Sequence, residues 1–148
     1  MASYPVMRTM FVLSIALWAA LTQASLAGKW TVNIEAASGA TDAGGSWSRS
    51  ALTGTFDIEQ SGEALTGSWA AEKGDPWPFT GRVKGEAFEL TTSVRDVPVV
   101  IDGQKTTARF RWIFSGTIAG ESLSGSARFE REGETFRSLQ PFSATRRQ

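Results

Sequence analysis

The residue types that most often carry chemistry are missing from this chain. It has no histidine and no cysteine among its 148 residues. That removes the usual general base, the usual zinc ligand, thiolate nucleophiles, disulfides and every Ser-His-Asp arrangement. Carboxylates and hydroxyls remain. Glu130 and Glu132 stand close together, but they flank a turn among arginines. That reads as surface ion pairing worth under about 1 kcal/mol, not as a glycosidase dyad. Asp42, Asp75 and Asp102 are isolated and form no calcium-loop pattern. No Gly-rich loop opens a helix, so no phosphate cradle is expected. The expectation is a non-enzymatic protein without a metal site or cofactor. Lys+Arg and Asp+Glu number 15 each. With no net charge, nothing in the composition favours nucleic acid or an anionic membrane surface.

The composition is that of a compact β protein with an aromatic core. The chain has 6 Trp and 9 Phe but 1 Tyr. Trp69, Phe79, Phe88, Phe110, Trp112, Phe114 and Phe129 fall on the apolar face of alternating segments. They can line a cavity or fill a solid core. A cavity with aromatic walls and few polar anchors suits a small apolar or planar ligand. The expected walls are Trp69, Phe88, Phe110, Trp112 and Phe114, with Trp47 on a lid.

Three loops could make contacts of their own. Residues 36–51 are a long run of small residues holding Trp47 and Arg49, and loops of that length often act as lids. Trp47 is expected either to touch a ligand or to pack back on a rim. Residues 72–78 contain the stiff Asp75-Pro76-Trp77-Pro78 segment, which presents Trp77 or caps a barrel end. Residues 95–105 contain the apolar run Val97-Pro98-Val99-Val100-Ile101. This run reads as an extra edge segment or a self-association patch, because Pro98 argues against a central strand.

The elements that would position these residues are strands. Apolar and polar residues alternate with period two at Trp30–Ile34, 55–59, 65–69, 79–83, 88–91, 109–118, 123–130 and 136–145. Glycine turns separate several of them, at Gly62, Gly85, Gly120 and Gly133. Phe79-Thr80-Gly81 leading to Gly85, and Phe114-Ser115-Gly116 leading to Gly120, form a weak hairpin repeat. Leu52-Thr53-Gly54 leading to Gly62 is a longer copy. Eight strands in a meander close most economically into an all-β, antiparallel up-and-down barrel, with a two-sheet sandwich as the alternative. Gly54, Gly67, Gly81, Gly116 and Gly125 lie on the inward register. They either let the strands coil tightly or leave room for a ligand.

Residues 1–27 read as an export leader ahead of a single domain at 28–148. Arg8 precedes an apolar run of about a dozen residues, too short for the ~20 needed to span a membrane. Ser25-Leu26-Ala27 places small residues at the −3 and −1 positions of a cleavage site, and Thr22-Gln23-Ala24 is a second candidate. No membrane span is expected after cleavage. There is no cysteine for lipid attachment, so a periplasmic or extracellular location is expected.

The domain opens with Gly28-Lys29-Trp30, and Arg146 follows Phe142-Ser143-Ala144-Thr145 near its end. This pair resembles the signature of the calycin superfamily, which includes lipocalins and avidins. The resemblance implies that a cation from the last strand, Arg146 or else Arg147, lies over Trp30 and closes the barrel floor. Ala64-Leu65-Thr66-Gly67-Ser68-Trp69, Phe79-Thr80-Gly81-Arg82, Phe114-Ser115-Gly116 and Pro141-Phe142-Ser143 are similar to avidin-type strands. By motif position, however, the tyrosine that binds biotin becomes Trp69. The hydroxyl-bearing positions become Phe110 and Trp112, and the carboxylate becomes Gln140. A buried ureido group would lose about 1–3 kcal/mol for each partner missing, so biotin is not the expected ligand. The leading expectation is an exported binding protein that holds a small apolar or aromatic ligand in the barrel mouth. The alternative is a protein-interaction or inhibitor barrel with a solid core, acting through loops 36–51, 72–78 and 95–105.

Overall fold

Alternation decides which way each side chain points. In the computed structural model, which describes residues 24–148, it produces eleven strands and no helix. They are β1 (Gly28–Ile34), β2 (Ala37–Ala40), β3 (Ser46–Arg49), β4 (Leu52–Ser61), β5 (Ala64–Ala71), β6 (Trp77–Lys84), β7 (Ala87–Thr92), β8 (Arg95–Ile101), β9 (Gln104–Ala119), β10 (Ser122–Arg131) and β11 (Leu139–Arg146). In β1, Trp30, Val32 and Ile34 are buried, while Thr31 and Asn33 lie on the other face.

Eight of these strands close into an antiparallel up-and-down barrel in the order β10, β11, β1, β4, β5, β6, β7, β9, with β9 pairing back onto β10. The sandwich alternative is excluded by that closure. The seam between the first and last strands runs from Trp30 opposite Arg146 to Ile34 opposite Phe142. The leader read in the sequence lies outside the described residues up to position 23. Residues 24–27, by contrast, are described and pack beneath the barrel.

The two barrel ends are built differently. At the floor, the hairpin repeat places Gly62, Gly85 and Gly120 in tight turns with φ of 60°, 59° and 60°. Left-handed backbone of this kind favours glycine. At the mouth, the connections are longer and carry structure of their own.

Two segments lie outside the eight-strand meander, the second of them as the edge segment that its sequence allows. Residues 36–51 are not a structureless loop: β2 and β3 form a separate ribbon, with Gly39 opposite Trp47. Residues 95–101 form an edge strand, β8, which continues β7 and pairs with the first half of β9. Between Thr91 opposite Ile113 and Arg95 opposite Phe110, β7–β8 holds one residue more than β9. That is a β-bulge, and it bends the long hairpin away from the barrel wall. The Thr92 hydroxyl accepts a 2.8 Å hydrogen bond from the Trp112 backbone N–H there. The last strand also begins later than its alternation suggests, at Leu139, because the chain from 132 to 138 crosses the rim before joining β10.

The barrel interior is filled. Trp30, Phe56, Trp69 and Phe114 are fully buried. Phe56 meets Phe114 edge-on at 4.8 Å and Trp69 at 5.7 Å. Each such side chain contributes about 2–3 kcal/mol of burial. The inward glycines bring backbones together. A Cβ at Gly125 would collide with the Ser115 carbonyl oxygen across the ladder, and one at Gly116 with that of Ser124. The glycines therefore permit tight coiling and do not clear space for a ligand.

Candidate binding cleft at the barrel rim

The mouth is sealed from inside by stacked rings. Phe129 lies on Phe110 at 4.3 Å with an interplanar angle of 16°, and on Trp112 at 4.7 Å and 26°. Trp77 meets Phe129 edge-on at 6.1 Å. Below this layer, Trp112 stacks on Phe114 at 5.5 Å and meets Trp69 edge-on at 5.8 Å. Phe110, Trp112 and Phe129 sit on neighbouring strands, with Phe129 opposite Trp112 and Arg131 opposite Phe110, whereas Trp69 and Trp77 reach them across the barrel from β5 and β6. Inward register alone brings the rings together.

Cations cover the outer side of this layer. The Arg95 guanidinium lies 4.1 Å above the Trp77 ring and donates to the carbonyl oxygens of Asp75 and Pro76. Arg49 lies 5.8 Å from the Phe129 ring centre and pairs with Glu134 at 3.7 Å. At the opposite end of the barrel, Arg146 lies 4.3 Å over Trp30. Arg147 takes another course and donates to the hydroxyls of Thr31 and Thr55.

Gln140 fixes the β2–β3 ribbon to the barrel. Its amide donates to the carbonyls of Glu35 at 2.9 Å and Ser50 at 3.1 Å, one at each end of the ribbon segment. The side chain is buried, and its Oε1 has no partner among the described residues.

With the interior filled, the concave surface lies outside it. A cleft of about 660 Å³ opens between the β2–β3 ribbon and the 131–136 segment. Trp47, Phe110 and Phe136 supply its apolar surface, with Arg49, Arg131 and Glu134 among its charged groups. Trp47 lies against Gly39, where an added Cβ would come within 2.7 Å of the indole nitrogen. An aromatic covering a cross-strand glycine is a common way to stiffen a ribbon. Glu134 accepts from the Arg131 backbone N–H at 3.5 Å and is engaged with Arg49. The Arg131 side chain forms no ion pair among the described residues. A smaller cleft of about 320 Å³ lies on the other side of Phe110, beside Val94 and Arg109.

Of the expected ligand walls, Trp47 and Phe110 meet at the rim cleft. Trp69, Phe88, Trp112 and Phe114 lie within the packed interior, 0–5% exposed. Phe136 and Glu134 belong to the cleft but were not singled out by sequence. Phe136 reads as the start of a strand, and Glu134 as an ordinary turn carboxylate. The one signal that bears on them is Gly133, whose turn aims both back across the rim.

No protein-family model and no curated protein matches the chain. Among solved structures, it is similar to a mutant of the vaccine antigen Transferrin Binding Protein B from Haemophilus parasuis Hp5. The identity is 15% and the TM-score 0.49, over 82% of this chain and 27% of that one. The chain thus spans little more than a quarter of that protein's length.

Proposed function

We propose that this chain is an exported, non-enzymatic binding module of calycin type, whose ligand site is the rim cleft and not the barrel interior. The observation that carries this is the pairing of a ring-filled interior with an open aromatic cleft directly outside it. The Arg146–Trp30 stack at the floor supports the calycin reading. The lining suits a small planar amphipath: the faces of Trp47 and Phe136 would take a flat apolar surface, and Arg131 an anionic edge. The engaged carboxylate of Glu134 and the lack of histidine and cysteine support binding without catalysis.

The test is titration with anilinonaphthalene sulfonate, a planar amphipathic anion. Saturable binding is expected, weakened about tenfold or more in Trp47→Ala and Phe136→Ala with little change in Tm, which corresponds to about 1.4 kcal/mol. Equal binding by both variants, or no saturable binding, would refute the cleft as the site.

A second reading has its own observation. Val94, Val100 and Ile101 are 42%, 67% and 38% exposed on or beside the edge strand β8. The free edge of such a strand can pair with an extended segment of a protein partner. Val100→Asp would abolish that contact and leave dye binding unchanged.

A further inference from the structure

Residues 25–27 are built into the barrel floor. Leu26 is fully buried. Its backbone N–H donates to Gln60 Oε1 at 2.7 Å, and its carbonyl accepts from the Trp30 indole N–H at 2.9 Å. Arg146, the cation over Trp30, donates to the carbonyl of Ser25 at 2.6 Å and to that of Ala27. Three consecutive residues thus satisfy the two side chains that close the floor. Among the described residues, the side-chain hydrogen bond to Ala24 is a long one of 3.4 Å from Gln60 Nε2, which also donates to the Gly62 carbonyl at 3.0 Å.

We propose that the leader is removed at the Ala24–Ser25 bond, so that Ser25-Leu26-Ala27 remain in the exported protein as its floor plug. The premise is the leader read in the sequence, in which both Thr22-Gln23-Ala24 and Ser25-Leu26-Ala27 satisfy the small-residue rule. The structure separates these two candidates. Hydrolysis after Ala27 would discard Leu26 and every acceptor that the Trp30 indole and Arg146 use within this segment. Among the described residues, hydrolysis after Ala24 costs the long Gln60 contact and the packing of a half-buried methyl group against the core. In that step, an endopeptidase of the export machinery breaks the Ala24–Ser25 C–N bond with one water. The hydroxyl goes to the Ala24 carboxyl group and the proton to the new Ser25 amino group.

The experiment is intact mass and N-terminal sequencing of the product exported from the full chain with its own leader. A product beginning at Ser25 is expected. One beginning at Gly28, at any other residue, or still carrying Met1 overturns the proposal. Leu26→Ala in the same full chain is the second measurement. If Leu26 is retained, the exported variant melts roughly 5–15 °C lower, as a truncated buried leucine requires. If it leaves with the leader, the two exported products are chemically identical and melt together, which also overturns the proposal.

Discussion

Arg146 and Trp30 are direct partners across the seam where the last strand meets the first, and the guanidinium lies 4.3 Å over the indole. One side chain thus joins the two termini of the barrel, seals its floor and holds the segment before β1. A desolvated cation–π contact contributes about 2 kcal/mol, whereas the Arg146–Glu121 ion pair at 3.0 Å involves an exposed carboxylate and adds little.

Arg146→Ala is therefore expected to cost roughly 2–4 kcal/mol, by combining the ring contact with charge-assisted hydrogen bonds. Glu121→Ala should cost under about 1 kcal/mol. Arg146→Lys should fall between Arg146→Ala and the wild type, because an ammonium cannot reproduce the planar fork. Urea unfolding of the three variants checks this order, and equal losses for Arg146→Ala and Glu121→Ala would refute it.

The glycine ladder gives a sharper contrast. Gly125→Ala places a methyl group against the Ser115 carbonyl, and the β9–β10 ladder must splay to admit it. A loss of roughly 2–4 kcal/mol is expected. Gly74→Ala meets nothing closer than the Ala71 methyl at 3.7 Å and should stay within about 0.5 kcal/mol of wild type. Thermal denaturation of the pair separates a backbone-approach role from a general intolerance of alanine.

Thr92 holds the bulge between β7 and β8. Thr92→Val keeps the shape but leaves the Trp112 N–H without its acceptor in a buried position. The expected cost is about 1–3 kcal/mol. Amide exchange should accelerate at Trp112 and along the β8–β9 extension, while the β4–β5 hairpin keeps its protection. Uniform acceleration across the barrel would show that the bulge is not a local device.

Gln140→Leu tests the staple between ribbon and barrel. The substitution removes an unpaired buried oxygen, which stabilises, but leaves the Glu35 and Ser50 carbonyls without their donor. The terms partly offset, so the global loss is expected to stay near 1 kcal/mol. Protease cleavage within 37–49 should rise sharply, and an unchanged ribbon would remove Gln140 from its anchoring role.

The barrel strands were legible in the sequence because each buries one face and wets the other, so the period of two survives in Trp30-Val32-Ile34 and Phe110-Trp112-Phe114. The β2–β3 ribbon was not, because Ala37, Ser38, Gly39 and Ala40 carry no apolar alternation. Its order comes from one indole laid on one glycine and from a glutamine a hundred residues away. Thr92 turns inward in phase with Phe88 and Leu90, and the extra residue of the β7–β8 bulge shifts the period after it, to Arg95, Val97 and Val99. Whether the interior is open or filled depends on how tightly the strands coil, and composition does not encode that. Leu26 was hidden for another reason: the small residues on either side of it read, in the sequence, as the end of a leader.

The contrast between the two ends of the barrel has a practical consequence for protein engineering. The floor turns at Gly62, Gly85 and Gly120 share one tight left-handed backbone geometry, which an insertion would break. The mouth loops at 41–46 and 132–137 border the cleft, and ring packing and cationic caps secure the wall beneath them. Libraries that vary those two segments, with Gln140 and the Phe110–Trp112–Phe129 stack held fixed, would reshape the cleft without disturbing the framework. A cysteine-free barrel of this kind would also mature under reducing conditions, where disulfide-dependent binding scaffolds fail.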